Sequence, residues 1–198
     1  MGKVILLTGP PGVGKSTLRG KLAVCVPDLQ HFDYGQLLLR RKQREGSEIS
    51  YEQLREQSAS IIRPADVNAT DDWVIAEIGR LRAQSHVLID SHALTRESYG
   101  FRAIAFSGKQ LENLRLDVVI TLRADPDELI ARVKHNLGGR RELTAELARE
   151  IQILQESLCL TYAVVCACPA FVIDSTHLSP QEVADAAMQI LKQVGVAG

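Results

Sequence analysis

The chain has 198 residues, of which 45% are hydrophobic and 24% are charged, and its formal net charge is −1. This is ordinary globular composition, and the length suits one domain built around a covered sheet. Proteins that bind nucleic acid through a basic surface carry a clear positive excess, so we expect no nucleic-acid partner. The apolar runs are too short to span a bilayer, and the first residues lead directly into a strand. We therefore expect no membrane partner, no signal peptide and a cytoplasmic location.

The first apolar run, residues 3–8, leads into the glycine-rich segment GPPGVGKST at residues 9–17. It matches all four fixed positions of the Walker A pattern G-x-x-x-x-G-K-[ST], between a strand and a helix pattern. Backbone N–H groups of such a P-loop form an anion nest, the lysine reaches the β- and γ-phosphates, and the hydroxyl ligates Mg²⁺. The segment predicts binding of a nucleoside triphosphate. The predicted nucleotide-binding residues are Gly9, Pro11, Gly12, Val13, Gly14, Lys15, Ser16 and Thr17.

Three further runs, residues 87–90, 116–122 and 170–174, are almost continuously apolar, and residues 29–33 are a weaker candidate. Continuous rather than alternating hydrophobicity is typical of parallel strands that helices cover on both faces. Five strands alternating with helices predict an α/β fold: a doubly wound five-stranded parallel sheet of the P-loop NTPase type. Ligands of such sheets gather at the carboxyl ends of the strands.

Helical patterns at residues 51–62 and 65–84 belong to an insertion at about residues 36–84, inside a single domain of residues 1–198. The insertion is longer than a simple crossover between two parallel strands needs. It is either a structural cap or a hinged subdomain that binds an acceptor. Residues 95–102 are expected to be a polar loop at the same edge of the sheet, with arginines suited to phosphate.

Asp90 ends the third strand and is followed by Ser91 and His92. An acidic residue at this place in a P-loop protein fits the carboxylate that holds Mg²⁺, directly or through water. The alternative is an aspartate that caps a turn. His92 orients a phosphate or a water molecule, or it satisfies the turn, and the sequence leaves both options open.

A glycine-hinged loop with paired arginines, Arg140 and Arg141, separates a helix that starts near Pro126 from a long helix at about residues 145–166. Phosphoryl transfer needs positive charge around the migrating group and exclusion of water, which a closing lid supplies. We therefore predict a lid at about residues 135–144. A solvated basic turn is the alternative.

Together these motifs resemble the nucleoside monophosphate kinases, and specifically the archaeal-type adenylate kinases. The similarity covers most of the chain. It depends on GPPGVGKST at residues 9–17, DYG at 33–35, YEQLRE at 51–56, VLIDSH at 87–92, LRADPDELIARV at 122–133 and LTY at 160–162.

The resemblance implies a role for each matching residue. Lys15 would neutralise the transferring phosphoryl group, Ser16 would hold Mg²⁺ with Asp90 behind it, and Arg132 would lie against the adenine of the donor. Arg140 and Arg141 would be the lid arginines and, with Lys15 and Asp90, the catalytic residues. The residues implied for the acceptor monophosphate are Arg40, Arg55, His92 and Arg96.

The chain departs from the family pattern in two places. Its lid arginines are adjacent rather than separated, and Gln155-Glu156-Ser157 stands on the long helix where related enzymes place further polar and basic residues. Both departures bear on the adenine preference and on the turnover. The family's enzymes are described as trimers, and the apolar long helix offers a surface for a homo-oligomer.

The leading hypothesis is transfer of the γ-phosphate of Mg²⁺–ATP to AMP or another nucleoside monophosphate. Because the attacking phosphate oxygen is already ionised, no strong base is required. One alternative is a P-loop kinase for another small molecule, with an alcohol acceptor and Asp33 as the base. The other is an ATPase switch or assembly factor related to adenylate kinase.

Overall fold

The computed structural model describes residues 1–97, 100–103, 106–135 and 143–196, without the side chains of residues 55, 56, 59 and 97. The strands are β1 (Val4–Thr8), β2 (Leu29–Asp33), β3 (His86–Asp90), β4 (Leu94–Glu97), β5 (Gly100–Ala103), β6 (Val118–Arg123) and β7 (Ala170–Asp174). The helices are α1 (Lys15–Cys25), α2 (Tyr34–Arg44), α3 (Tyr51–Glu56), α4 (Ser58–Ile61), α5 (Pro64–Leu81), α6 (Gly108–Leu114), α7 (Pro126–His135), α8 (Ala145–Cys166) and α9 (Pro180–Gln193).

Five of the strands form a parallel sheet in the order β2-β3-β1-β6-β7. The chain leaves β1 towards one edge to form β2 and β3, and later crosses to the other side for β6 and β7. The carboxyl end of β1 therefore lies at the switch point, where doubly wound sheets bind their ligands. The P-loop follows β1 directly, so the topology places it in this crevice.

Apolar side chains cover both faces of the sheet, because its central strands β1 and β6 are buried at every residue except Arg123 at the end of β6. One cluster joins the sheet to α2, α5, α6 and α8, through residues such as Leu38, Val74 and Cys159. The other joins it to α1, α7 and α9, through residues such as Leu22 and Leu191. The doubly wound five-stranded fold predicted from the apolar runs is confirmed, including the weaker strand at residues 29–33.

The helical insertion consists of α2 to α5 between β2 and β3. The predicted helix at residues 51–62 is two short helices, because the chain breaks between Glu56 and Ser58. Ser50 begins α3 with a capping box that Gln53 completes, and Pro64 begins α5 at a position where its missing N–H is harmless. These local signals set where α3 and α5 begin, and the insertion starts at the carboxyl end of β2 because α2 follows that strand directly.

The expectation of a polar loop at residues 95–102 is wrong. β4 and β5 pair antiparallel, with Leu94 opposite Ala103 and Thr95 opposite Arg102. Leu94 is buried, and this anchors the hairpin beside the main sheet. Four-residue strands carry too little alternation to be recognised by pattern, and their pairing is settled by packing.

The long helix at residues 145–166 is confirmed, and Thr144 caps it by accepting a hydrogen bond from the Leu147 N–H. Most of the predicted lid, including Arg140 and Arg141, lies outside the described residues. Within the described part of the chain, we find no helix with the length and apolarity that crossing a membrane requires.

Candidate active site

Lys15 begins α1 and points back into the P-loop. Its side chain is buried, and Nζ donates a hydrogen bond to the Gly9 carbonyl oxygen at 2.8 Å. Nζ also lies 3.1 Å from Nδ1 of His92, and the same ring nitrogen lies 3.1 Å from the Gly9 carbonyl. The ammonium group is thereby held against the loop that would surround the phosphates.

Gly12 is required by both conformation and packing. Its φ of +85° lies in the left-handed region, and a Cβ there would be 2.8 Å from Cγ2 of Val133 on α7. The loop therefore packs directly on α7, and this contact fixes the path of the backbone N–H groups around an anion.

Two carboxylates meet at the ends of neighbouring strands, since Asp33 of β2 is the register partner of Asp90 of β3. Arg19 on α1 donates to Oδ2 of Asp33 at 2.6 Å and to Oδ2 of Asp90 at 3.0 Å. Burial raises the pKa of the Asp90 carboxyl above its ordinary value, while the positive charges of Lys15 and Arg19 act in the opposite direction.

At one end of the site, Arg132 on α7 is held by three hydrogen bonds. Nη2 donates to Oε1 of Glu128 at 2.6 Å and to the Ser175 carbonyl at 3.0 Å, and Nη1 donates to Oγ of Ser175 at 3.2 Å. A guanidinium held in this way presents a fixed flat surface, which is suited to stacking on a planar ring.

At the opposite end, the insertion and the hairpin supply the walls. Tyr34 and Leu38 come from α2, Tyr51 from α3, and Arg96 and Arg102 from the β4–β5 hairpin. This end combines an apolar and aromatic surface with two positive charges. Such a lining can bind a flat ring that carries an anionic group.

A cavity of about 1070 Å³ is lined by residues of both ends and of the P-loop. Most of the predicted site residues contribute to it. Those are Pro11, Gly12, Val13, Gly14, Lys15, Ser16, Thr17, Asp90, His92, Arg96 and Arg132. Gly9 lies directly behind them, because its carbonyl accepts the hydrogen bond from Lys15.

The acceptor residues predicted on the insertion and the hairpin are placed differently from one another. Arg40 is exposed on α2 and does not contribute to the cavity lining. Arg55 is on α3, with its side chain outside the described part. His92 contacts the P-loop lysine and also lines the cavity. Arg96 does line the cavity near the insertion. Their roles towards an acceptor stay predictions.

Sequence reasoning missed Arg19, whose ion pair with Asp33 is shorter than its ion pair with Asp90 at the ends of β2 and β3. Its position four residues after Lys15 was the available signal, because that spacing puts both side chains on one face of α1. It also missed the contact between Gly35 and Tyr51, where a Cβ on Gly35 would lie 2.5 Å from the Tyr51 hydroxyl. No local pattern indicates that contact.

Among the described residues, no group of three or more His, Cys, Asp or Glu side chains could hold a metal by itself. The donor set available to Mg²⁺ is the exposed Ser16 hydroxyl and the Asp90 carboxylate, both on the cavity wall. Hard oxygen donors in such small number suit Mg²⁺, which keeps several waters and shares phosphate oxygens with a nucleotide. The residues present therefore fit a nucleotide-borne Mg²⁺.

The fold and the loop define the class of this protein, a P-loop kinase. The chain belongs to the AAA domain family, whose model matches residues 8–151. Among solved structures, it is similar to the shikimate kinase of Acinetobacter baumannii in complex with shikimate. The TM-score is 0.60 at 15% identity, with coverage of 98% of this chain and 96% of that chain.

The predicted resemblance to archaeal adenylate kinases is confirmed. The chain is 25% identical over 177 residues to the adenylate kinase of Methanopyrus kandleri, which covers 88% of this chain and 90% of that protein. It is 24% identical over 163 residues to the adenylate kinase of Thermococcus onnurineus, which covers 81% of this chain and 80% of that protein.

Proposed function

We propose that the chain is a nucleoside monophosphate kinase that transfers the γ-phosphate of Mg²⁺–ATP to AMP or another nucleoside monophosphate. One observation carries the proposal. A single cavity of about 1070 Å³ is lined by the P-loop, by Arg132 at one end and by the insertion and hairpin at the other. A donor and an acceptor nucleotide would meet over the P-loop, which is the arrangement that in-line transfer requires.

The donor would lie with its phosphates in the P-loop and its adenine against Arg132. The loop supplies inward-facing N–H groups and the positive end of the α1 dipole. Ser16 and Asp90 would hold Mg²⁺, which supplies positive charge to the phosphate oxygens when it is bound. Lys15 would hold the β- and γ-phosphates, exchanging its contact with the Gly9 carbonyl for phosphate oxygens.

The acceptor would lie between the insertion and the hairpin. Arg96 and Arg102 supply positive charge for a monophosphate, and Tyr34, Leu38 and Tyr51 supply an apolar surface for the base. In the transfer, an oxygen of the acceptor monophosphate forms a bond to the γ-phosphorus as the bond from that phosphorus to the β-γ bridging oxygen breaks. The products are two nucleoside diphosphates, and no proton has to be removed from the attacking oxygen.

The arrangement of Asp33 favours this reaction over transfer to an alcohol. A kinase for an alcohol would need a base near the acceptor, and Asp33 was the candidate from the sequence. Its Oδ1 accepts a hydrogen bond from the Gln36 N–H, and its Oδ2 accepts one from Arg19. Both oxygens are engaged in capping α2 and in an ion pair, which suits a positioning role.

The purified chain with Mg²⁺–ATP should be assayed against AMP, CMP, UMP, GMP and TMP, with shikimate as an alcohol acceptor. We expect stoichiometric diphosphate formation with at least one monophosphate, measured by chromatography of the nucleotides. Transfer to the alcohol alone would support the second kinase hypothesis. Slow ATP hydrolysis that no acceptor changes would support an ATPase switch, and either result would overturn the proposal.

A further inference from the structure

The carboxyl ends of β2 and β3 place two negative charges side by side. Asp33 and Asp90 are partners in the parallel register, and neighbouring strands lie about 4.8 Å apart. Their side chains are 21% and 9% exposed, so water screens them weakly. Two carboxylates at such a distance repel each other unless a cation lies between them.

Arg19 supplies that cation from α1. The same nitrogen, Nη1, is 2.6 Å from Oδ2 of Asp33 and 3.0 Å from Oδ2 of Asp90, and the arginine side chain is 20% exposed. Burial opposes its charge, but the hydrogen bond to Asp33 and the charges of both aspartates raise the pKa of Arg19 overall. Lys15 and His31 are the other positive or titratable groups that act on Asp90.

Through its ion pairs with Asp33 and Asp90, Arg19 links the two halves of the cavity. Asp33 caps α2, which carries Tyr34 and Leu38 at the acceptor end, while Asp90 faces the P-loop at the donor end. The four groups Lys15, Arg19, Asp33 and Asp90 sum to zero formal charge. Without Arg19 the sum is −1, and two neighbouring carboxylates become a ligand pair for any divalent cation.

We propose that Arg19 is a positioning residue that occupies the space between the two carboxylates, so that Asp90 receives a divalent cation only together with a nucleotide. The inference rests on the proposed function for its effect on turnover. Its effect on metal binding is independent of the acceptor and of the reaction catalysed.

The first test measures Mn²⁺ binding to the nucleotide-free protein by electron paramagnetic resonance. We expect weak binding by the wild type and binding about tenfold tighter by Arg19→Met, which removes the charge but keeps the chain length. Arg19→Lys should lie near the wild type. Arg80→Met is the matched control, because Arg80 is an exposed arginine paired with Glu77, and it should leave Mn²⁺ binding unchanged.

The second test separates the effect of losing the Arg19 ion pairs from the effect of a general loss of structure. Asp33→Asn in the Arg19→Met background removes one of the two carboxylates and should return Mn²⁺ binding to the wild-type level. Asp33→Asn alone should not tighten it, since Arg19 still neutralises Asp90. Asp33→Asn alone also keeps the proposal testable if Arg19→Met fails to fold. Tighter Mn²⁺ binding by Asp33→Asn alone would overturn the proposal.

For folded Arg19→Met, we also expect kcat/KM for Mg²⁺–ATP to fall roughly tenfold or more, with recovery in Arg19→Lys. Unchanged Mn²⁺ binding in folded Arg19→Met would overturn the role of Arg19. If the wild type transfers no phosphoryl group but the Mn²⁺ results are as expected, the proposed function fails while this inference holds.

Discussion

At the scale of single residues, the ammonium group of Lys15 is a closely held charge in the cavity. It is buried, hydrogen-bonded to the Gly9 carbonyl and within 3.1 Å of a ring nitrogen of His92. Such preorganisation means that little rearrangement is needed when negative charge develops on the migrating group. Lys15 is therefore expected to act on turnover more than on ground-state binding.

Lys15→Ala should lower kcat at saturating ATP and acceptor by at least roughly 10²–10³-fold, the usual loss when one stabilising charge or donor is removed from a transition state. Steady-state kinetics measure it. Lys21→Ala is the matched control, because Lys21 is on the same helix and its ammonium group bonds Gln181 at the surface. A Lys15 variant that retained most of its turnover would contradict the role.

Gly35→Ala should weaken the acceptor and spare the donor. A Cβ at residue 35 would lie 2.5 Å from the Tyr51 hydroxyl, so the tyrosine ring must move out of its position in the cavity wall. We expect KM for the acceptor to rise roughly tenfold, with KM for ATP unchanged. Gly79→Ala, where a Cβ meets nothing within 4 Å, is the control. Equal rises in both KM values would place Tyr51 outside the acceptor site.

At the scale of elements, a buried polar contact joins the helices behind the end of the cavity that the insertion lines. The Tyr34 hydroxyl at the start of α2 donates to Oδ1 of Asp71 on α5. Tyr162 of α8 is buried. Burial raises the pKa of its phenol, and the charge of Asp71 adds to this rise. Burial and the charge of Asp72 raise the pKa of Asp71 to about 7, and a hydrogen bond from Gln110 on α6 acts in the opposite direction.

This raised pKa predicts a pH dependence of stability. Between about pH 4 and 7 the folded state binds a proton at Asp71 that the unfolded state releases, so the free energy of unfolding falls as pH rises through this window. The contribution of Asp71 from pH 5 to 8 is roughly 2–3 kcal/mol. Urea unfolding of the wild type and Asp71→Asn at each pH measures it.

The stability difference between the wild type and Asp71→Asn should shrink or change sign between pH 5 and 8, because the amide does not titrate. Asp185→Asn, at an exposed position on α9, is the control and should follow the wild type at every pH. Parallel curves for the wild type and Asp71→Asn would mean that Asp71 is ionised throughout the range.

At the scale of the whole molecule, phosphoryl transfer requires the cavity to close over both substrates and exclude water. The lid predicted for this task, with Arg140 and Arg141, lies outside the described residues, so its role stays a prediction. The homo-oligomer also stays a prediction. α8 exposes Ile153, Leu160 and Val164, and sedimentation equilibrium would measure the mass of the assembly.

Arg141→Ala should lower kcat strongly, by roughly 10²-fold or more, with a smaller loss in ATP affinity. A lid arginine contacts the migrating group mainly in the closed state, so its removal affects the transition state more than the bound nucleotide. Single-turnover kinetics and calorimetric titration of ATP separate the two effects. Arg44→Ala, on the insertion, serves as a control. Equal and modest losses in kcat and in ATP affinity would mean that the predicted lid is a surface turn.

The placement of the P-loop at the carboxyl end of β1 could be predicted from the sequence, because it depends on neighbouring residues. The P-loop occupies consecutive positions, each central strand is one apolar run, and Asp90 ends a strand whose burial is visible in its composition. The helical insertion could also be located from the sequence. Its internal break near Gln57 could not be predicted, because short helices form mainly through packing.

Other features were decided by the tertiary structure alone. Arg19 and Asp90 are 71 residues apart in the chain, and they meet only because β3 pairs between β1 and β2 beneath α1. The β4–β5 hairpin, the approach of Tyr51 to Gly35 and the burial of Asp71 likewise depend on long-range packing. Periodicity shows which face of an element is apolar, but it does not show which distant element covers that face. The charge balance of the site depends on which elements pack together.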